Sequence, residues 1–153
     1  MVELAGKTVL ITGAAGGFGR ERTRQLLQAG SFLLLSDRAL PAIHAAVAEA
    51  ARRLGPAPVR GRVLGYIAAD LASREGCEQL HRQAVALAPQ IDILINNAGS
   101  GVVGPFTAIP ADVWERLMAV NLLAPMRLTA LFLPAMEARR SGWIVNISSV
   151  AGL

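Results

Sequence analysis

The amino-acid sequence predicts an α/β fold in which a parallel sheet carries helices on both faces. Short apolar runs alternate with longer amphipathic stretches along the chain, which is the pattern of successive βαβ units. Each short run is apolar along its whole length, as expected of strands buried on both faces. Hydrophobic residues make up 53% and charged residues 17% of the 153 residues, which excludes a disordered chain and fits one domain spanning 1–153.

The predicted elements follow in the order of such units. Strands are expected at 8–12, 32–36, 63–68, 91–96 and 143–148. Helices are expected at 17–29, 41–54 (closed by Gly55-Pro56), 73–88 and 111–140. Ser73 is suited to cap the third helix, and the segment 97–110 is predicted to be a loop. Pro125 and Pro134 predict a kink or break in the long fourth helix.

The charge pattern argues against a nucleic-acid partner. The formal net charge is +4, and the arginines are scattered without interleaved aromatic residues. Arg20, Arg22 and Arg24 cannot share one helical face at their spacing, so we interpret them as solvated helix surface.

Membrane and metal partners are not expected either. The most apolar stretch, 120–136, is interrupted by Asn121, Pro125, Arg127 and Pro134. The first residues lack the layout of a secretory signal, so a cytoplasmic location is expected. Cys77 is the single cysteine, and no metal-binding spacing accompanies it.

A glycine-rich turn follows the first predicted strand and has the features of a phosphate cradle. Glycines at 13, 17 and 19 let the backbone turn tightly, and the following helix offers free N–H groups at its N-terminus. The spacing does not fit the G-x-G-x-x-G fingerprint, because Arg22 stands where a glycine would be required. A structural tight turn is therefore the alternative for this segment alone.

Asp37 ends the second predicted strand about 20 residues after the cradle, where an acid can accept hydrogen bonds from a ribose 2′-hydroxyl. A carboxylate at this position would repel a 2′-phosphate, although the adjacent Arg38 offsets part of that repulsion. We therefore expect NAD, with NADP less favoured. The alternative for Asp37 is a solvated acid in a loop.

Taken together, these motifs resemble those of the classical short-chain dehydrogenase/reductase family. Its TGxxxGxG motif is matched by Thr12, Gly13, Gly17 and Gly19, and its NNAG motif by Asn96-Asn97-Ala98-Gly99. Further matches are Asp70-Leu71, Asn121, and the segment Asn146-Ile147-Ser148-Ser149-Val150-Ala151-Gly152. The resemblance implies a Rossmann-type, doubly wound parallel sheet of about five strands in the order 3-2-1-4-5.

The resemblance also implies roles for individual residues. Ser149 would hydrogen-bond the reacting oxygen of an alcohol or ketone substrate, with Ser148 the less favoured candidate, and Asn121 would distort its helix and hold a water of the proton relay. The expected cofactor-binding residues are Thr12, Gly13, Gly17, Phe18, Gly19, Asp37, Arg38, Asp70, Leu71, Asn97, Ala98 and Gly99.

The family's acid/base tyrosine lies about 13 residues beyond that serine, with a lysine four residues later, whereas this sequence ends at Leu153. The single tyrosine, Tyr66, and the single lysine, Lys7, cannot take these roles by motif. We therefore expect an incomplete copy of the family fold, an exposed fifth strand and negligible turnover of the 153-residue chain.

Three further expectations complete the prediction. A non-catalytic nucleotide-binding or partner-binding module is one alternative function, supported by the absent tyrosine and lysine. A reductase of 3-oxoacyl thioesters that uses NADPH is another, which Asp37 disfavours. Family members commonly associate through the long helix, so a homo-oligomer formed around 111–140 is expected.

Overall fold

The computed structural model describes residues 3–54 and 59–149. Five parallel strands form one sheet: β1 (Thr8–Thr12), β2 (Phe32–Asp37), β3 (Arg62–Ala68), β4 (Ile93–Asn96) and β5 (Trp143–Asn146). Their order is β3-β2-β1-β4-β5, which confirms the predicted topology. The predicted break at Gly55-Pro56 and the segment 150–152 lie outside the described residues.

The chain passes from β1 outward to β3 and then returns to place β4 on the other side of β1. The strand order therefore reverses beside β1. Ligands of such sheets bind beyond the carboxyl ends of the strands at this switch point.

Helices connect the strands close to the predicted positions. They are α1 (Gly17–Gln28), α2 (Leu40–Arg52), α3 (Arg74–Leu87), α4 (Ala111–Met118) and α5 (Ala124–Ala138). The predicted cap of α3 is present, since the Ser73 hydroxyl accepts a hydrogen bond of 2.9 Å from the backbone N–H of Gly76. A 3₁₀ turn, Phe106–Ala108, lies within the predicted loop.

The predicted break in the long helix lies between α4 and α5. Ala119–Leu123 forms a π-helical turn, and the N–H of Ala124 donates to the carbonyl of Ala119, five residues earlier. Pro125 explains this position, because it has no N–H to offer the carbonyl of Asn121, four residues before it. Pro134, by contrast, stands inside α5.

The helices bury two apolar layers, one on each face of the sheet. Alternate residues of β1 separate them, since Val9 and Ile11 face α1 and α2 whereas Leu10 faces α3 and α5. α5 contributes one buried stripe, consisting of Ala124, Leu128, Phe132 and Met136. The stretch Ala111–Ala138 is long and apolar enough to cross a membrane by length and composition, but this stripe packs in the core beside the sheet.

The carboxyl ends of β1 and β4 are joined by the side chain of Thr12, which is 1% exposed. Its hydroxyl accepts hydrogen bonds from the backbone N–H groups of Asn97 and Ala98, both at 3.0 Å. The same hydroxyl donates to the carbonyl of Ile95 at 3.3 Å. At the other end of the same strand pair, the Asp92 carboxylate accepts from the N–H of Thr8 at 2.9 Å.

We predict that Thr12→Val destabilises the fold, although valine has nearly the same shape. The substitution leaves two N–H groups without their acceptor, and each buried unsatisfied group costs about 1–3 kcal/mol. We expect the free energy of unfolding in urea to fall by about 2–6 kcal/mol. Thr12→Ser keeps the hydroxyl and serves as the control. Equal stability of the two variants would contradict the role given to the hydroxyl.

Candidate cofactor site

A cleft of about 510 Å³ opens at the carboxyl ends of the strands. Its walls come from the segments that follow β1, β2, β3 and β4. All the predicted cofactor-binding residues line it except Thr12, which is buried: Gly13, Gly17, Phe18, Gly19, Asp37, Arg38, Asp70, Leu71, Asn97, Ala98 and Gly99. A volume of this size is typical of small-molecule and cofactor sites.

The three glycines of the first turn have different surroundings. Gly13 has a φ of 65°, and a Cβ there would come within 2.7 Å of the Ala98 Cα. A Cβ on Gly19 would collide with the carbonyl oxygen of Gly13. Gly17 has nothing within 4 Å of its Cβ position, so its surface is open to the cleft. Gly19 therefore lets the turn pack closely against itself, and Gly13 lets it pack closely against the loop after β4.

The N-terminus of α1 faces the cleft without a side-chain cap. Its N-cap residue, Gly16, has no side chain, and no acidic residue lies in the first turn. The first N–H groups of a helix lack acceptors within the helix and carry a partial positive charge. This end of the cleft therefore suits an anion such as a phosphate group.

Arg22 of α1 contacts Phe18 and Asn97, two residues that line the cleft, but does not line it itself. Its guanidinium lies 3.4 Å from the carbonyl oxygen of Phe18, 3.5 Å from the Asn97 Oδ1 and 5.4 Å from the centre of the Phe18 ring. Neighbouring arginines turn elsewhere, since Arg20 pairs with Glu49. Arg22 lies on the helix surface as a partly exposed side chain. Its contact with Asn97 could not be predicted from helical spacing.

Asp37 stands at the end of β2 with both carboxylate oxygens held by backbone donors. Oδ2 accepts from the N–H of Ala15 at 2.9 Å, and Oδ1 accepts from the N–H of Arg38 at 2.7 Å. The carboxylate is thereby fixed against the glycine-rich turn. Each oxygen keeps a lone pair for a further donor.

Asp70 follows β3 and pairs with Arg116 of α4. One guanidinium nitrogen donates to both carboxylate oxygens, at 2.9 and 3.1 Å, and the N–H of Ala72 donates at 3.2 Å. Burial by itself raises the pKa of Asp70, but the Ala72 N–H and the Arg116 guanidinium outweigh it and lower the pKa below its usual value. The carboxylate is therefore ionised at neutral pH. Nothing local in the sequence indicated Arg116 as its partner.

The loop after β4 is tied to both of its neighbours. The Asn97 Nδ2 donates to the carbonyls of Thr12 and Gly13, at 3.0 and 3.1 Å. The Asn96 Nδ2 donates to the Asn146 Oδ1 at 2.8 Å, which joins the ends of β4 and β5. The NNAG motif thus orients the backbone that borders the cleft.

The two predicted catalytic residues lie in different segments: Asn121 in the π-helical turn and Ser149 after β5. Asn121 occupies the π-helical turn, where its Oδ1 accepts from the N–H of Ser100 at 3.0 Å and its Nδ2 donates to the carbonyl of Ser100 at 2.8 Å. Ser149 is exposed and follows β5. Because β4 and β5 are parallel, Ser149 follows β5 at the sheet edge that carries the cleft, whereas Asn121 meets this edge through Ser100. Neither residue is among those that line the cleft.

Within residues 3–54 and 59–149, no group of three or more His, Cys, Asp or Glu side chains is arranged to hold a metal ion. The charged groups that border the cleft are two carboxylates and two guanidinium groups, those of Asp37, Asp70, Arg38 and Arg116.

Comparison with known proteins agrees with this geometry. The family model for short chain dehydrogenases matches residues 7–153. A 3beta-hydroxysteroid dehydrogenase 2 from Eggerthella lenta is 36% identical over 155 residues, covering 98% of this chain and 56% of that protein. A ketoacyl reductase, HetN, from Nostoc sp. is 36% identical over 152 residues, covering 99% of this chain and 50% of that protein.

Solved structures share the architecture. A metagenomic short-chain oxidoreductase in complex with NADP has a TM-score of 0.83 and 33% identity, covering 99% of this chain and 65% of that one. This chain spans about half the length of the curated relatives it matches. The strand order and the position of the glycine motif and the asparagine motif around one cleft agree with the family match. The chain therefore belongs to the short chain dehydrogenase family of NAD(P)-dependent oxidoreductases with a Rossmann fold.

Proposed function

We propose that this chain is the dinucleotide-binding part of an oxidoreductase that transfers hydride between NAD(H) and a secondary alcohol or ketone, acting in the cytoplasm. One observation carries the proposal. The segments after four strands bring the glycine-rich turn, Asp37, Asp70 and the loop Asn97-Ala98-Gly99 around a single cleft.

The groups in the cleft fit the parts of a dinucleotide. The uncapped N-terminus of α1 and the open surface at Gly17 suit the pyrophosphate. The Asp37 carboxylate, already oriented by two N–H groups, suits the hydroxyls of a ribose. Asp70 and Leu71 suit the base. We propose these contacts for the residues named. Thr12 is buried and supports them through the hydrogen bonds that its hydroxyl accepts from Asn97 and Ala98.

The choice of NAD over NADP rests on the charge at Asp37. A 2′-phosphate would lie against a carboxylate whose neighbours, Ala14 and Ala15, carry no positive charge. Arg38 follows directly and is exposed, so its guanidinium could receive the phosphate. The metagenomic relative, by contrast, was solved in complex with NADP, which supports a preference for NADP.

We predict that calorimetric titration shows tighter binding of NADH than of NADPH, and that Asp37→Asn narrows the difference. Asparagine keeps an acceptor for Ala15 while the charge is removed, and a hydrogen bond to a charged group contributes about 1.5–3 kcal/mol. NADH affinity should therefore fall about tenfold to a hundredfold. Asp112→Asn, on exposed α4, controls for the lost charge. Tighter NADPH binding by the unaltered chain would overturn the preference.

The chain contributes two residues to the proposed chemistry. The nicotinamide, when bound, supplies or accepts the hydride at its C4. We propose that the Ser149 hydroxyl hydrogen-bonds the reacting oxygen of the substrate. We propose that the main-chain carbonyl of Asn121 holds the relay water, because Pro125 has no N–H for it, while the Asn121 side chain fixes Ser100.

A second candidate is a reductase of 3-oxoacyl thioesters that uses NADPH. The 36% identity to a ketoacyl reductase and the NADP bound to the structural relative favour it. The Asp37 carboxylate argues against NADPH. Preferential NADPH binding in the titration above would support this candidate.

A third candidate is a non-catalytic nucleotide-binding or partner-binding module. Tyr66 lies in β3, where its ring packs edge-on against the ring of His44, 4.5 Å between centroids. Lys7 precedes β1. Neither therefore lines the cleft, and the proton transfer of the first proposal needs an acid/base that these two residues do not supply.

We predict that the 153-residue chain binds NADH but does not oxidise it with ketone or oxoacyl thioester substrates, followed by NADH absorbance. Loss of a placed acid/base costs about 10² to 10⁴ in rate. Turnover at the level of a typical family enzyme would contradict this expectation. A reading frame that continues past codon 153 to a Tyr-x-x-x-Lys motif would support the enzyme, and a stop would support the module.

We also propose that the protein forms a homo-oligomer through the helices of the 111–140 region. Large apolar side chains recur there every four residues and are 40–60% exposed: Trp114, Met118, Leu122 and Met126. A contiguous exposed apolar surface of this kind is typical of protein interfaces.

We predict that light scattering after size exclusion shows a dimer or larger species, and that Met126→Glu shifts it toward the monomer. The new charge would have to lose its hydration in the interface. Gln79→Glu, at an exposed position of α3, adds the same charge outside the proposed interface and should leave the association unchanged. A monomer at all concentrations of the unaltered chain would contradict the proposal.

A further inference from the structure

The pair formed by Asp70 and Arg116 closes one end of the cleft. Both side chains line it, next to Leu71 and Val120. They are 52% and 45% exposed, so the pair lies at the mouth and not in the core. An exposed ion pair of this kind contributes little to folding stability. Its main effect is on orientation, because a carboxylate that accepts from a guanidinium and from the N–H of Ala72 cannot rotate freely.

Arg116 connects α4 to the loop that follows β3. α4 has no buried residue among its eight, whereas α3 and α5 each bury four. The guanidinium ties this superficial helix to the loop after β3, 46 residues away in sequence. Arg116 is therefore placed to set the position of the Asp70 carboxylate together with the N–H of Ala72, since both donate to Oδ1 and Arg116 also donates to Oδ2.

The end of the cleft beyond Asp37 is suited to a flat base. Ala42, Leu71 and Val120 give it apolar walls, and the Asp70 carboxylate is the acceptor there. An ionised carboxylate accepts hydrogen bonds and donates none. It therefore favours a base that presents an exocyclic amino group, as adenine does, over one that presents an oxygen at the same position, as hypoxanthine does.

We propose that Arg116 is a positioning residue for base recognition: it holds the Asp70 carboxylate so that this group accepts a hydrogen bond from the 6-amino group of the adenine ring. The proposal rests on the dinucleotide-binding function proposed above. Arg116 acts through Asp70, so its removal should weaken the discrimination between bases more than it weakens binding in general.

The test compares NADH with reduced nicotinamide hypoxanthine dinucleotide, which carries an oxygen in place of the amino group. Both are titrated by calorimetry into the unaltered chain, Arg116→Met and Arg116→Lys. We expect Arg116→Met to bind NADH about three to ten times more weakly and to bind the hypoxanthine dinucleotide as the unaltered chain does. Arg116→Lys, which keeps a cation, should recover part of the difference.

Loss of a positive charge alone would weaken both dinucleotides equally. Arg82→Met, which removes an exposed guanidinium of α3, measures that general effect, and thermal unfolding of each variant verifies the fold. Equal losses for the two ligands, or no loss for either, would overturn the role of Arg116. Failure of the unaltered chain to bind either dinucleotide would instead overturn the proposed function, and this inference with it.

Discussion

The hydroxyl of Thr12 is the interaction on which the cleft depends. It joins the end of β1 to the backbone that follows β4, 85 residues later. Because this oxygen accepts from two successive N–H groups, it fixes the direction of the loop there. Asn97 can then donate its side chain to the carbonyls of Thr12 and Gly13. The glycine and asparagine motifs, which look independent in the sequence, therefore form one hydrogen-bonded unit.

Charge is distributed unevenly along this unit. The uncapped N-terminus of α1 makes the turn after β1 electropositive. The ends of β2 and β3 carry two carboxylates that are held by backbone N–H groups: Asp37 by those of Ala15 and Arg38, and Asp70 by that of Ala72. A dinucleotide has anionic phosphates between hydrogen-bond-donating sugars and bases. Under the proposed function, the positive end would receive the phosphates, and the two carboxylates would receive the hydrogen-bond donors of the adjoining sugar and base.

Much of this arrangement could be predicted from the sequence, because its causes are local. Buried strands are apolar along their length, Ser73 caps the helix it precedes, and Gly13 and Gly19 stand where a Cβ would collide. The pairing of Asp70 with Arg116 could not be predicted, since it depends on the position of a helix 46 residues away. The contact between Arg22 and Asn97, 75 residues apart, could not be predicted for the same reason. Spacing gives the helical face of Arg22 but not what that face meets.

The π-helical turn between α4 and α5 constrains how this region can change in evolution. Each residue of a helix turns the chain by about 100°, so one insertion or deletion in 119–123 would rotate one flank against the other. The stripe containing Leu128 and Phe132 would leave the sheet, or Asn121 would leave Ser100. Changes of length in this segment are therefore disruptive at every position, whereas the effect of a substitution depends on the residue and is large at Asn121. The number of residues between the two flanks is itself a structural requirement of the site.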